Sequence, residues 1–320
     1  MTQQAGGRVA APGPASRYLE RLSKALPGAR SWAGRGSRDF WPDGAKLVIS
    51  ISLQFEAGAH PPREAAGPFT VPEGVPLSKW YEYGFKEGIP RLLEVFHRRR
   101  VRVTCHMVGA AVDRSPRLAR EIVEQGHEAA AHGQTWSSQY STTPEEERAS
   151  YEANIQSIVR ATGARPVGFH GMPLPSLAQT LEVLQELGLV YYSNDVSRDE
   201  PYVVPVRGKP FAIVPYNVDL NDLVSYESRT FSTEQYAEDL KNEFEMLYTE
   251  AESRRRMMSI TIHDRITGRP GRAKVLEEFI IYAQRRPGVV FMRKDEIARF
   301  ALATSVTPQE EQPLHAADAA

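Results

Sequence analysis

The sequence predicts an α/β protein in which about seven parallel strands and their helices form a distorted (β/α) barrel. Three observations predict this fold. Short apolar, β-branched segments alternate with segments of helical periodicity along most of the chain. The alternation repeats roughly seven or eight times in about 250 residues, which favours a curved barrel over an open sheet. Ionisable side chains follow most of the predicted strands, as they do at the active edge of a parallel barrel.

The first half of the chain contains four predicted strands and three predicted helices. The strands are 47–53 (LVISISL), 101–107, 128–131 and 166–169. The helices are 90–99, 116–125 and 144–162. Ser115-Pro116 is an N-cap followed by a first-turn proline, and Thr143 with Glu146 has the pattern of a capping box. Gly126 and Gly163 are the predicted helix ends.

The second half continues the alternation and adds one hairpin. Leucines recur at helical spacing from Leu177 to Leu187 and stop at Gly188. Two short runs, 203–206 and 211–215, flank a turn at Gly208 and predict a β-hairpin. The other predicted strands are 189–192, 258–262 and 289–292, and the other predicted helices are 233–250 and 273–284.

Composition divides the chain into an N-terminal arm (residues 1–44), a barrel (45–302) and a flexible C-terminal tail (303–320). The chain has 39 Lys+Arg and 40 Asp+Glu, so we expect neither nucleic acid nor a membrane as partner. The single cysteine excludes an intramolecular disulfide. The N-terminus has no apolar run of the signal-peptide type, which predicts a cytoplasmic protein. The arm and the aromatic segment 80–85 predict a homo-oligomer; the alternatives are a partly disordered arm and an aromatic segment packed on its own barrel.

The candidate site is the set of polar side chains that follow the predicted strands. They are Gln54, Glu56, His132, His170, Asn194, Asp195 and His263. His132 and His263 are the strongest candidates, because each follows an apolar run and precedes a glycine-containing loop. Asp195 could instead cap a turn. Arg269 could bind a carbonyl or carboxylate group, although a solvated arginine at a helix start is an equal alternative.

Several ordered motifs resemble those of one known family. They are WPDGA at 41–45, GHEAAAHG at 126–133, RPVGF at 165–169 and HDRITGRPGR at 263–272. The chain resembles polysaccharide deacetylases from about residue 35 to 302, and is most similar to the branch with metal-independent bacterial allantoinases and related cyclic-imide hydrolases. The resemblance implies a barrel of the polysaccharide-deacetylase type acting on a small-molecule substrate.

The departures from the usual deacetylase pattern concern the metal site. The family's Asp-x-Asp corresponds to Gln54 and Glu56, and Trp136 replaces the second histidine of its His-x-x-x-His. His170 stands at the position of its motif arginine. A catalytic zinc needs three protein ligands. We therefore expect no cofactor; the alternative is zinc or another divalent metal held by Glu56, His132 and His263.

The resemblance and the missing ligands together predict a hydrolase that opens a cyclic amide, imide or ureide, as an allantoinase does. The expected catalytic residues are Glu56, His132 and His263, and the expected substrate-binding residues are Gln54, Trp136, His170, Asp195 and Arg269. Burial of Glu56 beside Trp136 would raise its pKa and make it a stronger base. The alternatives are a metal-dependent deacetylase of an acetylated sugar and a non-catalytic barrel that binds a metabolite or carbohydrate.

Overall fold

The computed structural model describes residues 40–56, 59, 78–136, 143–171, 179–304 and 307–309. The strands are β1 (Leu47–Phe55), β2 (Thr104–Met107), β3 (Glu128–Ala131), β4 (Gly168–Phe169), β5 (Tyr191–Tyr192), β6 (Tyr202–Val206), β7 (Lys209–Ile213), β8 (Met257–His263) and β9 (Val289–Phe291). The helices are α1 (Ser78–Tyr83), α2 (Ile89–Arg99), α3 (Gly109–Arg114), α4 (Pro116–Glu124), α5 (Pro144–Thr162), α6 (Thr180–Glu186), α7 (Thr233–Glu250), α8 (Pro270–Gln284) and α9 (Lys294–Ala303).

The nine strands form one curled sheet, a half-barrel of mostly parallel strands. Its order is β6-β7-β5-β4-β3-β2-β1-β8, and β9 pairs with the beginning of β1. The β6–β7 hairpin supplies the antiparallel pair. An isolated bridge joins Asn221, in the segment after β7, to Thr261 of β8. The predicted α/β barrel is confirmed, and the sheet is open between its end strands, β6 and β8.

Local sequence signals explain most of the element boundaries. Thr143 and Glu146 form the predicted capping box at the start of α5, and Gly163 ends that helix with a left-handed backbone (φ 73°). Strand β2 is shorter than predicted, because Val101 donates its N–H to the Phe96 carbonyl and so belongs to the end of α2. Strand β1 is longer and reaches Phe55, which places Gln54 inside the sheet.

Strand register gathers the polar side chains at one edge of the sheet. On β1, Gln54 is the register partner of His106 on β2 and of His263 on β8. Glu56 follows two residues beyond Gln54, and His132 follows directly after β3. Parallel strands end at the same side of a sheet. The carboxyl ends of β1, β3 and β8 therefore bring these groups together.

The first described residues pack on the barrel. Trp41, which lies in the range assigned to the arm, is 2% exposed and stacks on Phe300 of α9. Its indole N–H donates to the Arg256 carbonyl. Residues 1–39 of the arm and most of the tail lie outside the described residues. Within the described ranges, no helix combines the length and the apolar character that crossing a bilayer requires.

Candidate active site

Glu56 is the centre of the candidate site. Its Oε1 lies 3.5 Å from His132 Nε2 and 3.7 Å from His263 Nε2. Its Oε2 accepts a hydrogen bond of 2.6 Å from Arg265 Nη1. All four residues are buried, with exposures of 3–5%. The structure thus brings together the three predicted catalytic residues and adds an arginine that the sequence analysis did not single out.

Hydrogen bonds around His132 determine which of its ring nitrogens is protonated and which one presents a lone pair to Glu56. Its Nδ1 contacts the carbonyl oxygen of His170, and a carbonyl oxygen can only accept. Nδ1 therefore carries the proton, and in the neutral ring Nε2 is unprotonated. Asn154 Oδ1 accepts the backbone N–H groups of His132 and Gly133, which holds this loop against α5.

His263 is oriented by Asp222, a residue in the segment between β7 and α7. His263 Nδ1–H donates to Asp222 Oδ1 at 2.6 Å, and the His263 backbone N–H donates to Oδ2 at 2.8 Å. The Thr267 hydroxyl and backbone N–H also donate to Oδ2. Asp222 is 0% exposed. This arrangement fixes the ring and directs Nε2 toward Glu56.

The predicted increase in the pKa of Glu56 is wrong. Burial by itself raises the pKa of this carboxyl, but His263, Arg265 and His132 outweigh burial and hold the pKa well below 4.5. Trp136, the proposed aromatic neighbour, packs against the main apolar cluster. Glu56 is therefore an ionised carboxylate of weak basicity.

The pKa of His263 moves in the opposite direction. Burial lowers the pKa, but the carboxylates of Glu56 and Asp222 raise it more strongly, and the result lies above 6.5. Since an imidazolium between two carboxylates is stabilised, His263 carries a proton over a wider pH range than a solvated histidine. The neighbouring Asp264 has a pKa raised to about 7, mainly by burial.

A row of packed histidine and tyrosine rings extends from the Glu56 centre. His170 stacks on His132 at 5.3 Å and on Tyr216 at 4.8 Å, between ring centroids. His106 lies 5.0 Å from His170, and its Nδ1 is 3.4 Å from Gln54 Nε2. Gln54 Oε1 has no hydrogen-bond partner among the described residues. The predicted substrate-binding residues Gln54 and His170 thus adjoin the catalytic group.

Asp195 and Arg269 make other contacts. Asp195 Oδ1 accepts from the backbone N–H and hydroxyl of Ser197, which is the turn-capping role considered as an alternative. The Arg269 guanidinium lies 3.6 Å from the Tyr83 ring centroid and 4.9 Å from that of Trp80. Neither contact set includes the Glu56 centre. The arginine that reaches Glu56 is Arg265, two residues after His263.

Sequence reasoning missed Arg265 and Asp222 for different reasons. Arg265 had a visible signal, because it directly follows His263-Asp264 in the loop after a predicted strand. Asp222 had none, because it follows a hairpin strand by nine residues and only the fold brings it to His263. A carboxylate in a long connection gives no periodic pattern from which its position can be derived.

The residues present do not fit the divalent metal of an ordinary polysaccharide deacetylase. Within the described ranges, no group of three His, Cys, Asp or Glu side chains is arranged so that it could hold a metal ion. One oxygen of Glu56 is already bound by the Arg265 guanidinium. Trp136 has no lone pair that could ligate a metal ion.

Two glycines allow the loop after β8 to pack closely behind the site. A Cβ atom on Gly268 would lie 2.0 Å from the Asp264 carbonyl oxygen and 2.5 Å from Gly88 Cα. Backbone atoms cannot move aside as a flexible side chain can. We expect Gly268→Ala to lower the free energy of unfolding by about 3 kcal/mol, measured by urea denaturation.

Gly271→Ala is the matched control in the same segment. A Cβ atom there meets no heavy atom of the described residues within 4 Å, and Gly271 lies in α8. Alanine favours helix over glycine, so this variant should be neutral or slightly more stable. Equal destabilisation by the two substitutions would contradict the packing explanation.

Comparisons with known proteins agree with this fold. Residues 77–192 match the family model for polysaccharide deacetylase. A solved probable polysaccharide deacetylase from Pseudomonas aeruginosa PAO1 is 32% identical, with a TM-score of 0.76 over 84% of this chain and 95% of that one. The solved PuuE allantoinase is 29% identical, with a TM-score of 0.78 over 86% and 96% of the two chains.

A Schizosaccharomyces pombe protein named as a polysaccharide deacetylase is 26% identical to this chain over 291 residues. The match covers 81% of this chain and 91% of that protein. The half-barrel and its edge of histidines and a carboxylate define a hydrolase of the deacetylase class. The chain belongs to the polysaccharide deacetylase family.

Proposed function

We propose that the protein hydrolyses a C–N bond in a cyclic amide, imide or ureide without a metal ion. One observation carries the proposal: Glu56 is bound by Arg265 on one oxygen and faced by two imidazoles on the other. In this centre His132 can accept a proton and His263 can donate one. The carboxylate oxygen that a metal ion would need is bound by the Arg265 guanidinium instead. The similarity to PuuE allantoinase supports the same substrate class.

The first step is the activation of water. His132 Nε2 has the lone pair that the His170 carbonyl imposes, and it lies 3.5 Å from Glu56 Oε1. A water molecule held by these two atoms can transfer one proton to His132 while its oxygen attacks the carbonyl carbon of the substrate. Glu56 orients the water and stabilises the resulting imidazolium, because it stays ionised throughout.

The second step is the departure of the nitrogen. His263 is the general acid, since the carboxylates of Asp222 and Glu56 raise its pKa and Asp222 fixes its Nδ1–H. As the tetrahedral intermediate collapses, the C–N bond breaks and His263 Nε2 gives its proton to the nitrogen. The carbonyl carbon ends as a carboxylic acid. The proton taken up by His132 is released to solvent and His263 takes one up, which restores the site for the next cycle. In imides and ureides the leaving nitrogen is a weak base, so its expulsion needs little Lewis-acid assistance.

Chelator treatment tests metal independence directly. After dialysis against EDTA, the purified protein should open a cyclic ureide or imide at an unchanged rate, because no step uses a metal. The substrates would be hydantoins, allantoin and succinimide-type rings, and the products would be followed by chromatography. Glu87→Gln, at an exposed glutamate that pairs with Arg91, serves as a control variant that should keep full activity.

Loss of the ring-opening activity with EDTA and its recovery with zinc would contradict the proposal. The second candidate is a metal-dependent deacetylase of an acetylated sugar, favoured by the names of the Pseudomonas and Schizosaccharomyces relatives. A parallel assay of acetate release from N-acetylglucosamine oligomers separates the two candidates. The cytoplasmic location and the homo-oligomer stay predictions.

A further inference from the structure

We infer that Arg265 is a catalytic residue that replaces the divalent metal ion of this centre. The inference rests on the proposed function and concerns the source of positive charge in the site. A deacetylation or ring-opening reaction develops negative charge on the carbonyl oxygen, and a cation or hydrogen-bond donors must stabilise that charge. Arg265 is the arginine that contacts Glu56.

The position of Arg265 is fixed by the fold. It is 3% exposed, and its Nη1 binds Glu56 Oε2 at 2.6 Å. Its guanidinium carbon lies 4.9 Å from the ring centroid of Tyr81. An arginine that is held by a carboxylate and an aromatic face cannot leave the site as a solvated arginine does. Its charge is therefore a permanent part of the centre.

The guanidinium retains donors that the protein does not use. Among the described residues, Nη1 is the Arg265 nitrogen with a hydrogen-bond partner, and Nε is buried without one. A buried donor without an acceptor is costly in a native fold and is expected to have a role. Arginine presents five N–H donors on a rigid plane. The unused donors can bind the substrate carbonyl oxygen as it becomes an oxyanion.

The same charge keeps a metal ion out. The two imidazoles converge on Oε1 of Glu56, while the guanidinium binds Oε2 of the same carboxylate. A divalent cation at Oε1 would therefore lie next to a fixed positive charge, and the carboxylate is already neutralised. Repulsion between cations in a buried site is strong because little water screens it. Arg265 thus supplies the positive charge of the site and prevents a divalent metal ion from binding there.

Cobalt binding tests this inference without a substrate. Co²⁺ in a site of nitrogen and oxygen ligands gives visible d–d absorption, so titration with CoCl₂ reports metal binding directly. The wild-type protein should bind no Co²⁺ at Glu56. Arg265→Met should gain one site, with an affinity at least about tenfold above any background binding, because loss of the guanidinium frees Glu56 Oε2 and lets Glu56, His132 and His263 rearrange around the ion.

The controls separate charge from structure. Arg265→Lys retains a positive charge and should still exclude Co²⁺. Arg272→Met removes another half-buried guanidinium, which stacks on Tyr226 and does not contact Glu56, and should not create a site. Circular dichroism would show that each variant is folded. If Arg265→Met does not fold, the wild type and Arg265→Lys still test the inference. Co²⁺ bound through Glu56 in either of these two proteins would overturn it.

Activity provides the second arm. Arg265→Met should lose about 100-fold or more in kcat. Arg265→Ala, which leaves space for a guanidinium ion, should lose as much, and millimolar guanidinium chloride should restore part of that loss while ammonium chloride does not. Absence of ring-opening by the wild type would refute the proposed function alone, since the cobalt arm needs no substrate. A folded Arg265→Met protein that binds no Co²⁺ and keeps its kcat would refute the role of Arg265.

Discussion

Glu56→Gln should abolish hydrolysis and also destabilise the protein. The substitution removes the charge that orients water and supports the His132 imidazolium, so we expect kcat to fall by about 1,000-fold. It also leaves the buried Arg265 without its carboxylate. Breaking one partner of a buried ion pair costs about 3–5 kcal/mol, which thermal and urea denaturation would measure.

A double variant separates the two effects. Glu56→Gln/Arg265→Met removes both charges, so it should recover most of the lost stability and stay inactive. Glu87, whose side chain is 60% exposed and pairs with Arg91, provides the matched control, since Glu87→Gln should change the free energy of unfolding by less than about 0.5 kcal/mol. An active Glu56→Gln protein would contradict the mechanism, and a double variant as unstable as the single one would contradict the ion-pair explanation.

The pH dependence of stability follows from the lowered pKa of Glu56. A carboxyl whose pKa is lower in the folded state stabilises the protein above its unfolded pKa and loses this contribution as the pH falls through the folded value. The unfolded value is about 4.5, and the folded value is well below it. The stability difference between wild type and Glu56→Gln should therefore be largest near neutral pH and shrink in acid below 4.5.

Asp222→Asn should cause the second large loss. Asp222 accepts the Nδ1–H of His263 and thereby fixes the ring and stabilises its protonated form. An amide can present its NH₂ group to the ring and favour the wrong tautomer, and it carries no charge. Removal of such a carboxylate lowers kcat by about 10,000-fold in serine proteases, and we expect a loss of 1,000-fold or more here.

The residual activity of Asp222→Asn should also have a shifted pH profile. His263 acts as an acid, so the rate falls as the pH rises through its pKa. Loss of the Asp222 charge lowers that pKa, since Asp222 is one of the two carboxylates that raise it. The alkaline limb of kcat should therefore move to lower pH. An alkaline limb that does not move would exclude His263 as the acid.

Asp219→Asn is the control for Asp222→Asn. Asp219 lies three residues earlier on the same segment, where its side chain is 71% exposed and pairs with Arg229. Its substitution should leave kcat and the pH profile unchanged. A comparable loss in Asp219→Asn would indicate that the segment itself, rather than the contact with His263, governs the activity.

The sequence by itself determined the fold class and the edge of the sheet at which the site lies. Strand and helix periodicity depends on residues that are close in sequence. The strand at 47–53 and the capping box at Thr143 could therefore be predicted from the sequence alone. His132 and His263 were found because they follow apolar strands directly. Side chains at the carboxyl ends of parallel strands share one edge in any such barrel.

Tertiary structure alone decided the electrostatics of the centre. The pKa of Glu56 depends on Arg265 and His263, which lie more than 200 positions away along the chain, and their contacts reverse the effect that burial has alone. Asp222 reaches His263 because the segment after β7 bridges to β8 at Asn221, and that segment has no regular periodicity. Coulomb interactions depend on distances of a few ångström in space, and a linear sequence does not contain those distances.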